Sequence, residues 1–209
     1  MKLYDCATAP NPRRVRIFLA EKGIAVPTVQ VDLRNGEQFT PEFRAINPEC
    51  TVPVLEFDDG RRIAEVVAIC TYFEAIQPDP ALMGADAQDR AIVAAWQHRA
   101  EREGLWVVAD AFRNAARGLK GRALPGPDDY EQIPALAERG RARATRFFEV
   151  LDRALADRAF IAGDRYSIAD ISALVMVDFA GWIKLTIPEG CTHLRRWHAA
   201  VSARPSATA

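Results

Sequence analysis

The sequence contains no CxxC pair, no zinc-type cysteine or histidine spacing and no apolar run long enough to span a bilayer. Its four cysteines, Cys6, Cys50, Cys70 and Cys191, are scattered along the chain. That argues against a disulfide framework and against dithiol chemistry of the thioredoxin type. His98, His193 and His198 offer no metal-ligand spacing, so no metal is expected. Residues 1–20 lack a charged, apolar, small-residue leader, which makes the cytoplasm the expected location, with the cysteines reduced and mostly buried. A net charge of −1 gives no overall attraction to nucleic acid or to an anionic membrane. Arginine far outnumbers lysine, but the arginines are interspersed with acids. No internal repeat or low-complexity segment is present.

What is present is a globular composition. The chain has 209 residues, 49% hydrophobic and 26% charged, enough for one large or two modest domains with a substantial core. One stretch organises the reading: Asn47-Pro48-Glu49-Cys50-Thr51-Val52-Pro53-Val54-Leu55. Val52, Val54, Leu55 and Phe57 read as a buried strand, yet Pro53 inside it cannot donate a ladder hydrogen bond. A turn of special geometry there leaves the Val52 backbone available to an extended peptide, which can pair with it as an added strand. The alternative is an edge strand with an incidental proline.

Around that stretch, Lys2–Asp5 reads as a strand with Leu3 inward. Asn11-Pro12 reads as a helix start, with Asn11 as the cap and Pro12 at the first helical position. Val15, Ile17, Phe18 and Leu19 form the apolar face, and Gly23 ends the helix. Residues 26–32 alternate as a strand, so strand, helix, strand implies a parallel right-handed crossover. A short helix is expected over 41–45. Strands at 54–57 and 62–63 flank the hairpin signal Asp58-Asp59-Gly60. Residues 66–74 show helical spacing. Gln77-Pro78-Asp79-Pro80 reads as an interdomain linker. Beyond it the pattern is helical: 86–119 as one long helix or a kinked pair, 135–155, a capping box at Ser167-Ile168-Ala169-Asp170 opening the apolar run 171–177, and 193–203. The expectation is an α/β domain over residues 1–77 and an all-helical domain over 86–209.

Four segments with this layout resemble the cytosolic glutathione transferase family: Ala9-Pro10-Asn11-Pro12-Arg13-Arg14-Val15-Arg16; Asn47-Pro48 with Thr51-Val52-Pro53-Val54-Leu55; Ala64-Glu65-Val66-Val67-Ala68-Ile69; and Ala162-Gly163-Asp164 with Ser167-Ile168-Ala169-Asp170. The resemblance covers nearly the whole chain. It implies a thioredoxin-like first domain, a cis bond before Pro53, an all-helical second domain and glutathione as co-substrate. By the same resemblance, the Val52 backbone next to Thr51 and Pro53 pairs with the cysteinyl part of glutathione. Glu65 accepts from the γ-glutamyl ammonium, the Val66 N–H takes the γ-glutamyl carboxylate, and Gln38 falls where some bacterial members contact the tripeptide. Glu65 has the simpler role of a first-turn acid open to it, and Gln38 that of a solvated side chain. The chain departs from the family at Val66, where Ser or Thr is usual. Loss of that hydroxyl removes one hydrogen bond to a charged group, worth roughly 1.5–3 kcal/mol.

The resemblance also exposes a gap in the chemistry. The family's activating Ser, or its redox Cys, falls on Ala9, which can neither donate nor attack. Asn11 is the leading replacement: a bacterial branch resembling disulfide-bond reductases carries an asparagine there, close to the glutathione sulfur. Its amide can stabilise a thiolate, or it can serve only as a cap. Thr8 is a second candidate for catalysis; Cys6 and Tyr4 fit core positions better. Trp106, Phe112, Tyr166 and Trp182 are candidate walls for a small hydrophobic electrophile, although aromatics at helical spacing also suit a core. The implied activity is conjugation of the glutathione thiolate to small electrophiles. Glutathione-dependent disulfide or peroxide reduction, and a catalytically weak glutathione-binding role, are the alternatives. The family implies a homodimer, which an apolar face on the 86–119 helix suits.

Overall fold

The computed structural model describes residues 1–209 and divides into two compact units. The first comprises Met1–Pro80 with the short stretch Pro125–Asp128 and Ala209; the second comprises Ala81–Leu124 and Asp129–Thr208.

The first unit is built on a four-stranded sheet of order β2-β1-β3-β4, with β1 Lys2–Asp5, β2 Thr28–Gln30, β3 Val54–Glu56 and β4 Arg62–Ala64. β1 and β2 run parallel; β3 is antiparallel to both β1 and β4. β2 is shorter than the alternation over 26–32 suggests. Pro27 brings no N–H to the ladder, and Asp32 turns the chain by accepting from the Arg34 and Asn35 amides, both at 3.1 Å. Helix α1 (Pro10–Glu21) crosses from β1 to β2 and packs against α3 (Val66–Ile76). Val15, Ile17, Phe18 and Leu19 are its buried residues. It stops at Gly23, whose φ of +63° suits glycine, with the Ile24 N–H reaching back to the Leu19 carbonyl at 2.9 Å. The short helix α2 (Pro41–Ile46) is capped by the Thr40 hydroxyl, which accepts from the Phe43 amide.

The cap of α1 differs from the sequence expectation. Ala9, not Asn11, is the N-cap, and Pro10, Asn11 and Pro12 all lie in the first turn. Both prolines are tolerated because the first amides of a helix have no intrahelical acceptor. This releases the Asn11 side chain from capping. At the other end, the Lys22 ammonium is fully buried against Glu74 at 2.7 Å and the carbonyls of Gln77 and Pro80 at 2.7 and 2.6 Å. Lys22 thereby ties the close of α1 to the Gln77–Pro80 segment.

The second unit is helical: α4 (Ala87–Arg99), a π-helical stretch (Ala100–Leu105), α5 (Trp106–Arg113), α6 (Pro134–Ala154), α7 (Ile168–Ala180) and α8 (Thr192–Ser202). Asp86 caps α4 by accepting from the Asp89 amide at 2.9 Å. Close helix approach depends on two glycines. A Cβ on Gly140 would lie 2.8 Å from the Val107 carbonyl, and one on Gly104 would lie 3.0 Å from the Met176 side chain. α7 is the core helix, buried at all but one of its positions. The Ser167/Asp170 pair opens it: Oδ2 of Asp170 accepts from both N–H and hydroxyl of Ser167 at 3.0 Å, and Oδ1 accepts from the Ile161 amide and the Trp197 indole at 2.9 Å.

Full burial pushes the Asp170 carboxyl up to about 6, although its four donors pull the other way. Its folded pKa therefore lies above its unfolded value, and the folded state binds the extra proton between roughly pH 4 and 6. The contribution of this group is largest below that window and is lost as pH rises through it. Asp170→Asn should remain destabilised by about 2 kcal/mol or more at pH 7, since an amide cannot accept from four donors. Urea unfolding of wild type and variant at pH 4 and pH 7 should show the gap between them narrowing at the higher pH.

Candidate functional site

The strand register brings three corners to one end of the sheet. β1 leaves through Cys6–Ala9 just beyond Tyr4, which pairs with Val54. β3 enters at Val54 from Val52-Pro53. Ala64, paired with the same Val54, is the last residue of β4 and leads into Glu65-Val66. α1 and α3 both begin at this end, so their unpaired first amides give it partial positive charge.

Each corner is held from below. The Val52–Pro53 peptide is cis. The preceding turn is stapled by buried Asn47, whose Nδ2 donates to the Thr51 carbonyl at 2.9 Å and to its hydroxyl at 3.1 Å. Cys50 adopts φ +53° within that turn. Val52 buries its side chain with Tyr4, Cys6, Phe43 and Val54. Its backbone N–H and C=O pair with nothing in the chain. An extended peptide backbone laid beside it would find a donor and an acceptor ready.

The loop after β1 rests on charges that the sequence reading missed. Asp5, 1% exposed, accepts from Arg16 Nη1 at 2.5 Å and from Gln30 Nε2 at 2.7 Å. Arg16 Nη2 also donates to the Ala7 carbonyl at 2.9 Å, and Gln30 Oε1 accepts from the Ala7 amide at 2.9 Å. An acid closing a buried strand and an arginine inside a helix of apolar spacing were the available signals. The same loop places the Thr8 hydroxyl, exposed, 3.5 Å from buried Cys6 Sγ. Ala9 packs against the Val52 cluster, and its own side chain carries neither hydroxyl nor thiol. Tyr4 turns its hydroxyl to Glu56 at 3.2 Å.

At the third corner, Glu65 is the N-cap of α3 with φ +70° and ψ 127°. A side chain at that φ is costly, of order 1–3 kcal/mol, and glycine would sit there freely. Its carboxylate is exposed and has no ion-pair partner. Val66 buries its side chain, so the position gives the site only its N–H. Gln38 follows β2 in a single 3₁₀ turn (Glu37–Phe39), and its Oε1 is shut off from solvent without a donor. Asn11 is exposed and donates its amide to nothing in the chain; its Oδ1 accepts from Arg14 Nη1 at 3.3 Å.

In the second unit, the expected aromatic walls do not form one group. Phe112, Phe179 and Trp182 pack edge to face, with centroids 5.0–5.6 Å apart. Trp106 is 59% exposed. Six residues along α5 put it about 120° around the helix from Phe112, so it lies off that cluster. Tyr166 is also separate: it is buried, packed on Phe160, with the Arg204 guanidinium 4.1 Å from its ring centre. Arg204 lies far along the sequence, which hid this contact from a reading of helical periodicity. All four cysteines are buried, and no group of histidines, cysteines and acids is arranged to hold a metal.

Comparisons with known proteins agree with this layout. The glutathione S-transferase N-terminal domain matches residues 8–76, and the glutathione S-transferase C-terminal domain matches residues 119–205. The chain is 39% identical to glutathione S-transferase 2 of Saccharomyces cerevisiae over 99% of its own length and 87% of that protein's. It is 31% identical to maleylacetoacetate isomerase of Mus musculus over 88% of its length and 80% of that protein's. A crystal structure of a glutathione S-transferase domain-containing protein from Marinobacter aquaeolei superposes with a TM-score of 0.90 at 43% identity, covering 99% of both chains. With a mixed four-stranded sheet, a helical second unit and both family domains in order, the chain belongs to the glutathione S-transferase family.

Proposed function

We propose that the chain is a glutathione transferase that adds the glutathione thiolate to small hydrophobic electrophiles. The observation that carries the reading is the end of the sheet where the unpaired Val52 backbone, the exposed Glu65 carboxylate and two helix N-termini coincide. Each feature matches a part of glutathione. The Val52 N–H and C=O suit its cysteinyl backbone. Glu65 suits the γ-glutamyl ammonium, and the Val66 N–H at the start of α3 suits the γ-glutamyl carboxylate. The solvent-excluded Oε1 of Gln38 is an acceptor lacking a donor, which a peptide N–H of the ligand would supply.

The protein's share of the chemistry is binding, orientation and stabilisation of the thiolate. A free thiol has a pKa of about 8.5, and a helix N-terminus lowers it. With alanine at position 9, the N-terminus of α1 supplies the field and Asn11 supplies a neutral donor. Thr8, whose hydroxyl lies on the same loop, is a secondary donor. The aromatic pair Phe112 and Trp182, with Trp106 as an outlying surface, is assigned to the electrophile. Because the four cysteines are buried, the glutathione sulfur is the reacting thiol. We assign a cytoplasmic location and a homodimer on the same family basis.

Two experiments test this. Glu65→Gly should raise the unfolding free energy read from urea titration by about 1 kcal/mol, since the left-handed φ is relieved. Calorimetric titration should show glutathione binding weakened about tenfold or more, from the lost charge-assisted bond. A residue with only a structural role would give the first change without the second. Asn11→Ala should raise the pKa of the bound thiol by about one unit, the worth of a neutral hydrogen bond to the thiolate, read from thiolate absorbance against pH. Turnover of an aryl halide near neutral pH should fall in step. An unmoved thiol titration would remove Asn11 from the chemistry, and absence of saturable glutathione binding by the wild type would overturn the whole reading.

A further inference from the structure

We infer that Arg14 is a positioning residue that fixes which face of the Asn11 amide is presented to the thiol. The inference rests on the glutathione transferase reading and adds a requirement to it. Asparagine has two chemically opposite ends: Oδ1 only accepts and Nδ2 only donates. An exposed asparagine turns freely between them, and in one orientation it would place a carbonyl oxygen against a developing thiolate. Repulsion there would raise the thiol pKa.

Arg14 removes that choice. Its guanidinium carries donors only and has no acceptor. It sits one turn along α1, three residues after Asn11, the spacing at which helical side chains meet. It is 3% exposed, so its position is set by packing rather than by solvent. Its Nη1 lies 3.3 Å from Asn11 Oδ1. The amide must therefore keep its oxygen on the guanidinium and turn Nδ2 away from it. Nδ2 then finds no acceptor within the chain. A donor fixed by a buried charge, exposed and unused at the helix start nearest the proposed sulfur position, is a preorganised thiolate donor. Ala9 as N-cap is part of the same arrangement, since an Asn11 engaged in capping would have its Oδ1 on the backbone and no freedom to meet Arg14.

Arg14 acts through Asn11, which separates its role from a simple charge effect on the thiolate. A double-mutant cycle on the bound thiol pKa reads the difference. Arg14→Met should raise that pKa by about half a unit or more, and in an Asn11→Ala background it should add nothing. Additive shifts would mean that the guanidinium acts by its own charge, and would overturn the inference. So would an Arg14→Met that leaves the bound thiol pKa unmoved in the otherwise wild-type protein while Asn11→Ala raises it. If Asn11→Ala itself is silent, the thiolate reading fails first, which keeps the two failures distinct. Urea unfolding establishes that each variant is folded. Should Arg14→Met not fold, the wild-type complex still decides. The Nδ2 group of Asn11, assigned by its loss in Asn11→Ala, should shift with the titration of the bound thiol and show nitrogen relaxation as rigid as the α1 backbone. A mobile side-chain amide, or resonances indifferent to the titration, would refute the assignment.

Discussion

The pairing of Val54 with Tyr4 on one side and with Ala64 on the other is the constraint on which the first unit depends. It fixes where β1 ends, where β3 begins and where β4 ends, all at one level of the sheet. Side chains alternate along a strand, so a slip of one residue in either pairing would send each side chain to the opposite face. Adjacent Val54 and Leu55 are both buried, so both faces of β3 are packed and a slip would mismatch each of them. The corners at Cys6–Ala9, Val52-Pro53 and Glu65-Val66 are therefore placed by core packing, while the groups they present are free of it. Rigidity and availability come from different atoms of the same residues: Val52 contributes its side chain to the core and its backbone to the site.

The same division recurs in the electrostatics. Asp5, Arg16 and Gln30 form a closed set under the loop after β1, with both carboxylate oxygens of Asp5 engaged and the Ala7 amide and carbonyl each held. Removing one member would leave a buried charge or amide without its partner, which costs more than the net worth of the bond. That set leaves Thr8 and Ala9 as the fixed rim of the site. In the helical unit Asp170 has the corresponding role, joining the Ile161 backbone, the start of α7 and the Trp197 indole through one carboxylate. Both are single acids that tie distant segments together, and neither belongs to the groups assigned to the ligand.

Much of this was legible in the sequence, and the exceptions have physical causes. The hairpin at Asp58–Gly60, the stop at Gly23 and the Ser167/Asp170 start follow from local chemistry, which a few residues determine. The cap of α1 did not, because Asn11-Pro12 and Ala9-Pro10 compete as starts and the backbone accepts proline at two positions of a first turn. The partners of Arg14 and Arg16 were not visible in the sequence; the fold shows what they reach. Periodicity marked Trp106, Phe112 and Tyr166 as apolar but carried no information about which of them share a face or which meet a distant arginine. Long-range contacts decide those cases, and helical spacing contains none of them.

Position 66 and its neighbour bear on whether a protein with alanine at position 9 has kept only the fold. Val66 packs into the core and brings no hydroxyl, which on its own suits a chain with no need of tight glutathione binding. Glu65 points the other way. Its φ of +70° is a conformation that costs a side chain of order 1–3 kcal/mol and costs glycine almost nothing. Glutamate is also a poor N-cap, where glycine is a good one. Both helix capping and backbone strain favour replacing it, and no ion pair inside the chain rewards keeping it. A free carboxylate held at a strained helix start has its compensation outside the polypeptide. Under the proposed function that compensation is the ammonium of a small peptide, and a glutamate kept at this position then argues for a ligand-binding site rather than an inherited scaffold.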